Sequence, residues 1–362
     1  MKKLGFGCMR LPMNGEEVDL VEFSKMVDAY LEEGFIYFDT AKVYIQGKSE
    51  LAMKECLVKR HPRSSYIIAD KLSGWCCKEK EEVIPFFNSQ LEALGVEYID
   101  YYLMHCLHGQ NVDHYNHIEA YEQCLKLKAE GKIKHFGFSF HGTAEFLDKY
   151  LEEHPEFEFV QIQFNYLDYD SYNVQSKLCY DVCRKHNKDI MIMEPVKGGE
   201  LVKLPQEANE IFKSFDNGSN ASYAIRFAAS YEGVIMVLSG MSNMQQMEDN
   251  LSYMKEFVPL NKKEMDACFK VADIIKKSNL IACTGCKYCV DGCPKKIMIP
   301  SIFAIKNAKI LNQNYDPNAY KQLVLSAGKA SDCIKCGLCE KECPQHLPIR
   351  EYLGKLSKEF DR

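Results

Sequence analysis

The chain has 362 residues, more than one usual domain needs unless most of it is a single α/β barrel with an appendage. Its 45 Lys and Arg against 51 Asp and Glu give a formal charge of −6 with the signs interspersed, which speaks against nucleic acid or an anionic membrane as partner. No run is long and apolar enough to span a bilayer, and Arg10 interrupts the first apolar run with no cleavage-like segment after it, so the cytoplasm is the expected compartment.

Up to about residue 260, short β-branched or aromatic runs alternate with longer amphipathic segments, the pattern of repeated βα units around a parallel sheet. Strands are expected at 4–11, 36–40, 66–71, 101–105, 136–140, 159–164, 190–194 and 234–238. Eight such units close naturally into a (β/α)8 TIM barrel, and the length fits. An open doubly wound sheet is the competitor, but no strand-to-helix turn carries G-x-G-x-x-G: Gly5 and Gly7 lack the third glycine, and Gly198-Gly199 is an isolated pair. A last barrel helix should begin at Asn261, capped by its side chain with Glu264 reaching back, and present Met265, Cys268, Phe269, Ala272 and Ile275 to the core. The polar stretch 276–279 then marks a boundary, giving a barrel domain at 1–278 and a smaller, mostly helical domain at 279–362 with helices at 301–311 and 317–326.

The smaller domain holds the most specific signal. Cys283, Cys286, Cys289 and Cys293-Pro294 read C-x2-C-x2-C-x3-C-P, and Cys333, Cys336, Cys339 and Cys343-Pro344 repeat it. This is the spacing of two-cluster bacterial ferredoxins, in which the fourth cysteine of each run serves the other cluster. One 4Fe-4S cluster is thus expected on Cys283, Cys286, Cys289 and Cys343, the other on Cys333, Cys336, Cys339 and Cys293. Structural zinc needs only paired C-x2-C motifs, and disulfides need an oxidising compartment. With a long segment between the motifs, the domain resembles the helical ferredoxins that accompany membrane-complex iron-sulfur subunits. Nine further cysteines lack ligand spacing and read mainly as reduced, buried small hydrophobes.

In a parallel barrel, chemistry sits at the C-terminal ends of the strands. Asp39, Lys71 and His105 end the second, third and fourth expected strands, and Tyr44 follows Asp39 in the loop. Singly, such a charge is a helix cap or a solvated loop residue, and such a histidine a core residue. Together they form a tetrad, and here the chain resembles the aldo/keto reductase superfamily over about its first 260 residues. The likeness is carried by Gly5-Phe6-Gly7-Cys8-Met9-Arg10, Phe38-Asp39-Thr40-Ala41 with Tyr44, Lys71, Tyr98-Ile99-Asp100 leading into His105, Gly137-Phe138-Ser139, Gln161, Glu194-Pro195, Gly240 and Asn250.

The resemblance implies an oxidoreductase acting on a small carbonyl or alcohol, with Tyr44 as proton donor, Lys71 lowering the phenol pKa, Asp39 pairing Lys71, and His105 orienting the substrate oxygen. It implies NADP(H) or NAD(H) held by Ser139, Gln161, Met193, Gly240 and Asn250. Phe140 stands where an asparagine is expected and Met193 where an aromatic ring is. Ser242 and Gln246 replace the basic clamp for the 2'-phosphate. A flavin on the same barrel-end phosphate site is an alternative cofactor. An electron-transfer or redox-sensing protein with a non-catalytic barrel is an alternative function, and a soluble electron-carrier protein an implied partner. Trp75, Tyr115 and Tyr166 could line the substrate mouth, the stretch 166–172 reads as a solvated loop, and His108, His114, His117 and His141 form no metal motif.

Overall fold

The computed structural model describes residues 1–215 and 217–361. Eight parallel strands form a closed barrel in which every neighbour is consecutive in sequence: β1 (Leu4–Gly7), β2 (Tyr37–Asp39), β3 (Ile67–Leu72), β4 (Ile99–Leu107), β5 (Ile133–Phe140), β6 (Phe159–Gln163), β7 (Asp189–Met193) and β8 (Val234–Ser239), which returns to β1. The expected run 4–11 stops at Gly7, because Cys8–Arg10 make a tight helical turn that leads to Pro12. Glu194 leaves β7 in a left-handed conformation (φ 55°), which ends pairing one residue earlier than expected.

Strand alternation places the polar end of the barrel. Tyr37, Ala69, Leu103, Phe159 and Met191 point inward and form an apolar plug. Two residues further along each strand, on the same face, come Asp39, Lys71, His105, Gln161 and Met193. The residues between them, such as Phe38 and Met104, face outward into the main core under the helices. That layer is rich in aromatic contacts, including Phe6 with Phe23 at 5.6 Å and Tyr30 with Phe38 at 5.1 Å between ring centroids.

The helix Lys262–Lys277 has the expected capping box of Asn261 and Glu264, with Cys268, Ala272 and Ile275 buried. Beyond it, Ile281, Ile297, Ile302, Phe303, Tyr320, Leu347, Ile349 and Leu353 form a separate core. Ile299–Leu311 begins two residues before expectation, since Pro300 fits a first helical turn. The expected helix at 317–326 contracts to Ala319–Leu323. No helix among the described residues is long and apolar enough to cross a membrane.

Candidate active site

At the C-terminal ends of the strands lies a cavity of about 660 Å³ lined by Asp39, Tyr44 and His105. Lys71 stands behind it, 1 % exposed, its ammonium donating to Asp39 Oδ1 at 2.7 Å and to the Thr40 carbonyl at 2.6 Å. The same ammonium is 4.8 Å from the Tyr44 ring centroid. Removing either member of so buried a pair strands the other charge, at a cost of about 3–5 kcal/mol. The Tyr44 and His105 rings meet edge to face at 5.9 Å. Burial pushes the His105 imidazole well below its ordinary value, and Lys71 adds to this, so the ring is neutral. With Nδ1 engaged by Ser73 Oγ at 2.9 Å, Nε2 is the nitrogen left to meet a substrate oxygen.

One expectation about this group does not hold. Burial pushes the Tyr44 phenol well above its usual value, and Asp39 and Asp70 raise it further. The Lys71 ammonium cannot offset this while Asp39 neutralises it at 2.7 Å. The resting phenol is therefore held protonated, with its proton to give.

Ser139, Gln161, Met193, Gly240 and Asn250 all line the cavity. Ser139 Oγ accepts the Cys106 amide at 2.7 Å, Gln161 Nε2 reaches Asp39 Oδ2 at 3.4 Å, and Asn250 Nδ2 donates to Ser239 Oγ at 2.6 Å. Phe140 turns outward and stacks on Phe146 at 6.0 Å, so it adds nothing to the cavity wall. Ser242 and Gln246 line the cavity but are joined to each other, the Ser242 amide donating to Gln246 Oε1 at 2.8 Å.

None of the three aromatics expected at the mouth lines the cavity; Trp75 is half exposed, its ring 5.1 Å from that of His105, which does line it. Tyr115 is buried; its hydroxyl accepts the Gly74 amide at 3.2 Å and donates to the His105 carbonyl, bracing the loop after β3. Tyr166 is fully buried against Phe212 and Phe227. The stretch 166–172 is correspondingly not a solvated loop. Asp168 is buried and binds the Lys197 ammonium at 2.7 and 2.6 Å, while Tyr172 is exposed.

The eight motif cysteines gather in two groups. Cys283, Cys286, Cys289 and Cys343 line one small cavity walled by Phe303, Leu347 and Ile349; Cys293, Cys333, Cys336 and Cys339 line a second with Ile297, Ile334 and Leu353. All eight are free thiols. Four cysteines around one small apolar-walled cavity fit a 4Fe-4S cluster at each place, in the crossed pattern the spacing implies. Burial pushes the Cys283 thiol up to about 11 and the Cys286 thiol up to about 12, a penalty on the thiolate that a bound cationic centre would relieve.

The first cysteine cavity abuts the barrel mouth. Cys286, Tyr288 and Pro344 line the same 660 Å³ cavity as Tyr44 and His105. Gln345 bonds Glu194 Oε2 and the Lys197 ammonium, both at 2.7 Å, and Arg10 donates to the Thr284 carbonyl at 2.5 Å. Gly198 has φ 65°, and a Cβ there would lie 2.2 Å from the Thr284 carbonyl oxygen, so only glycine permits this approach.

Residues 3–273 match the Aldo/keto reductase family, about three quarters of the chain. The chain belongs to the aldo/keto reductase family. Residues 282–347 match the 4Fe-4S dicluster domain. Among relatives, an uncharacterized oxidoreductase, YqkF, of Bacillus subtilis is 25% identical over 286 residues, covering 69% of this chain and 86% of the relative. A 9,11-endoperoxide prostaglandin H2 reductase of Trypanosoma cruzi is 24% identical over 259 residues, covering 70% and 82%. Among solved structures, the holo form of an aldo-keto reductase from Bacillus halodurans has a TM-score of 0.60 at 24% identity, covering 74% of this chain and 91% of its own. A Klebsiella pneumoniae aldo-keto reductase in complex with NADPH has a TM-score of 0.61 at 16% identity, covering 75% and 90%.

The protein is an oxidoreductase of this family with a dicluster domain attached. What sequence reasoning missed is the polar bridge of Gln163, Asp168, Glu194, Lys197 and Gln345 between the two domains. Glu194-Pro195 marked one end of it, but nothing local paired that carboxylate with a glutamine 151 residues away.

Proposed function

We propose that the protein interconverts a small carbonyl compound and its alcohol at the barrel mouth, with electrons supplied through its own dicluster domain. The observation that carries this reading is the shared cavity, whose wall includes Cys286 and Tyr288 as well as Tyr44 and His105. Tyr44 gives the proton to the nascent alkoxide, neutral His105 orients the oxygen through Nε2, and the Lys71–Asp39 pair fixes the phenol from beneath. Cys283, Cys286, Cys289 and Cys343 hold one 4Fe-4S cluster, and Cys293, Cys333, Cys336 and Cys339 the other. When bound, such clusters supply single electrons, and a nicotinamide dinucleotide supplies a hydride. The domain boundary falls at 278/279, after the helix Lys262–Lys277 and before the second core, and a chain with two cluster motifs and nine further cysteines suits a reducing cytoplasm.

The test uses anaerobically reconstituted protein, chemically reduced and freed of reductant, then mixed with a panel of small aldehydes and ketones, with and without NAD⁺ or NADP⁺. The expected result is reoxidation of the clusters with formation of one alcohol per electron pair. If no carbonyl compound in a broad panel reoxidises the protein, the catalytic reading is wrong.

Dinucleotide choice follows from the wall's charge. Asp39, Glu194 and Asp249 line the cavity with Arg10 as the single Lys or Arg among the lining residues, and that guanidinium is engaged by Thr284. Without a free basic clamp, the 2'-phosphate lacks a charge-assisted contact of about 1.5–3 kcal/mol, roughly tenfold or more in affinity. Calorimetric titration should accordingly show NADPH and NADH binding weakly and alike. Tight, selective NADPH binding would mean that Arg10 is released from Thr284 to serve as the clamp.

A further inference from the structure

The two cysteine cavities face opposite demands. The first is covered by the barrel mouth, whereas the second is open: Cys336 is exposed, and beside it Ile334 and Leu338, which line the same cavity, are 58% and 49% exposed. Apolar side chains left in water beside an exposed cysteine of a redox group are a contact surface in need of a partner.

Lysines outnumber acids five to two in the segments that carry this patch, 293–297 and 328–341. Lys295 lines the cavity; Lys296 adjoins it, Lys329 adjoins Gly328, Lys335 lies between Cys333 and Cys336, Lys341 follows Leu338 by three residues, and these four are exposed. None of these five lysines forms an ion pair with the described residues, whereas Arg350 on the same rim is taken by Glu340 at 2.6 Å. Gly328 brings the backbone next to Lys329 against that of Lys295 and Lys296: its amide donates to the Lys296 carbonyl at 3.1 Å, and a Cβ there would stand 2.1 Å from the Lys295 carbonyl oxygen. Both acids of these segments are engaged, Asp332 accepting the Lys329 amide at 2.8 Å and Glu340 pairing with Arg350, while Asp291 and Glu342 lie exposed just beyond them in the chain. Residues 279–362 carry 13 basic against 8 acidic side chains, while residues 1–278 carry 32 against 43, so the net positive charge belongs to this domain alone.

We propose that the lysine-rimmed patch around Ile334, Cys336 and Leu338 docks a small one-electron carrier protein with an acidic face. The proposal rests on the reading of this domain as the electron supply of the barrel. At each encounter the reduced carrier gives up one electron and leaves oxidised. Two encounters deliver the electron pair that, with two protons, converts a carbonyl to an alcohol. Charge complementarity steers the encounter, and the apolar centre sets the short-lived contact.

The probe is an acidic plant-type 2Fe-2S ferredoxin, used with anaerobically reconstituted full-length protein. Calorimetry measures binding of the oxidised ferredoxin, and stopped-flow absorbance measures reduction by the reduced form across ionic strength. Association should fall steeply with salt, and the K296E/K329E/K335E/K341E variant should lower it at least ~10-fold and flatten the salt dependence. Iron content and reduction by dithionite should stay as in the parent protein. K25E/K149E/K213E/K262E, the same charge change on exposed barrel positions, should bind as the parent does. Absence of ferredoxin binding at low salt, or undiminished binding by the cluster-domain variant, would overturn the proposal, as would preferential binding of a basic carrier such as a cytochrome. Carbonyl turnover is read separately: normal ferredoxin binding without turnover supports the docking surface and defeats only the catalytic reading.

Discussion

Tyr44→Phe is expected to lower carbonyl reduction by about 10²–10⁴-fold, some 3–5 kcal/mol of transition-state stabilisation, with cofactor binding and iron content unchanged. The substitution removes one hydroxyl from a ring that keeps its contacts with His105 and the Lys71 ammonium. The fold therefore has little reason to respond. Because burial holds the phenol protonated, the loss should be in kcat rather than in KM, as befits a group that acts when the alkoxide forms. Steady-state kinetics anaerobically, with any substrate found, decides it. Tyr288 is the competing phenol, since it lines the same cavity from the cluster domain. Full turnover in Tyr44→Phe together with its loss in Tyr288→Phe would move the donor role across the domain boundary.

Cys286→Ser should remove one cluster and spare the other, taking iron from about eight to about four per chain, because two 4Fe-4S clusters depend on separate sets of four sulfurs. Electron supply to the barrel should fail, since this cysteine belongs to the cavity that meets the active site. Cys76→Ser, at an exposed cysteine away from both cavities, should leave iron unchanged. Iron and sulfide analysis with low-temperature EPR reads the outcome. Iron near zero in the parent protein with stoichiometric zinc would refute the cluster assignment altogether.

Much of this arrangement is local and so was readable in the chain. Three thiolates at three-residue spacing lie in one short loop, and alternation along a strand dictates that Asp39, Lys71, His105 and Gln161 share the inner face above Tyr37, Ala69, Leu103 and Phe159. The Asn261 cap needed only Glu264, three residues on. The period also explains Phe140, since a residue following inward-facing Ser139 must face out.

The stretch 166–172 failed for the opposite reason. Its acids and tyrosines have the composition of a solvated loop, but Asp168 is buried by Lys197, 29 residues on, and Tyr166 by Phe212 and Phe227. Composition records a side chain's preference, while burial depends on what another element brings to it. The same holds for Tyr44: the sequence by itself named the phenol and its cation, yet its protonation depends on desolvation and on how fully Asp39 neutralises Lys71. Residue types, strand phase and ligand spacing were thus determined by the sequence alone, because each is settled within a few residues. That Cys286 and Tyr288 stand in the wall of the barrel cavity was decided by tertiary packing, through Gly198 against Thr284 and Gln345 between Glu194 and Lys197, contacts that span 86 to 151 residues.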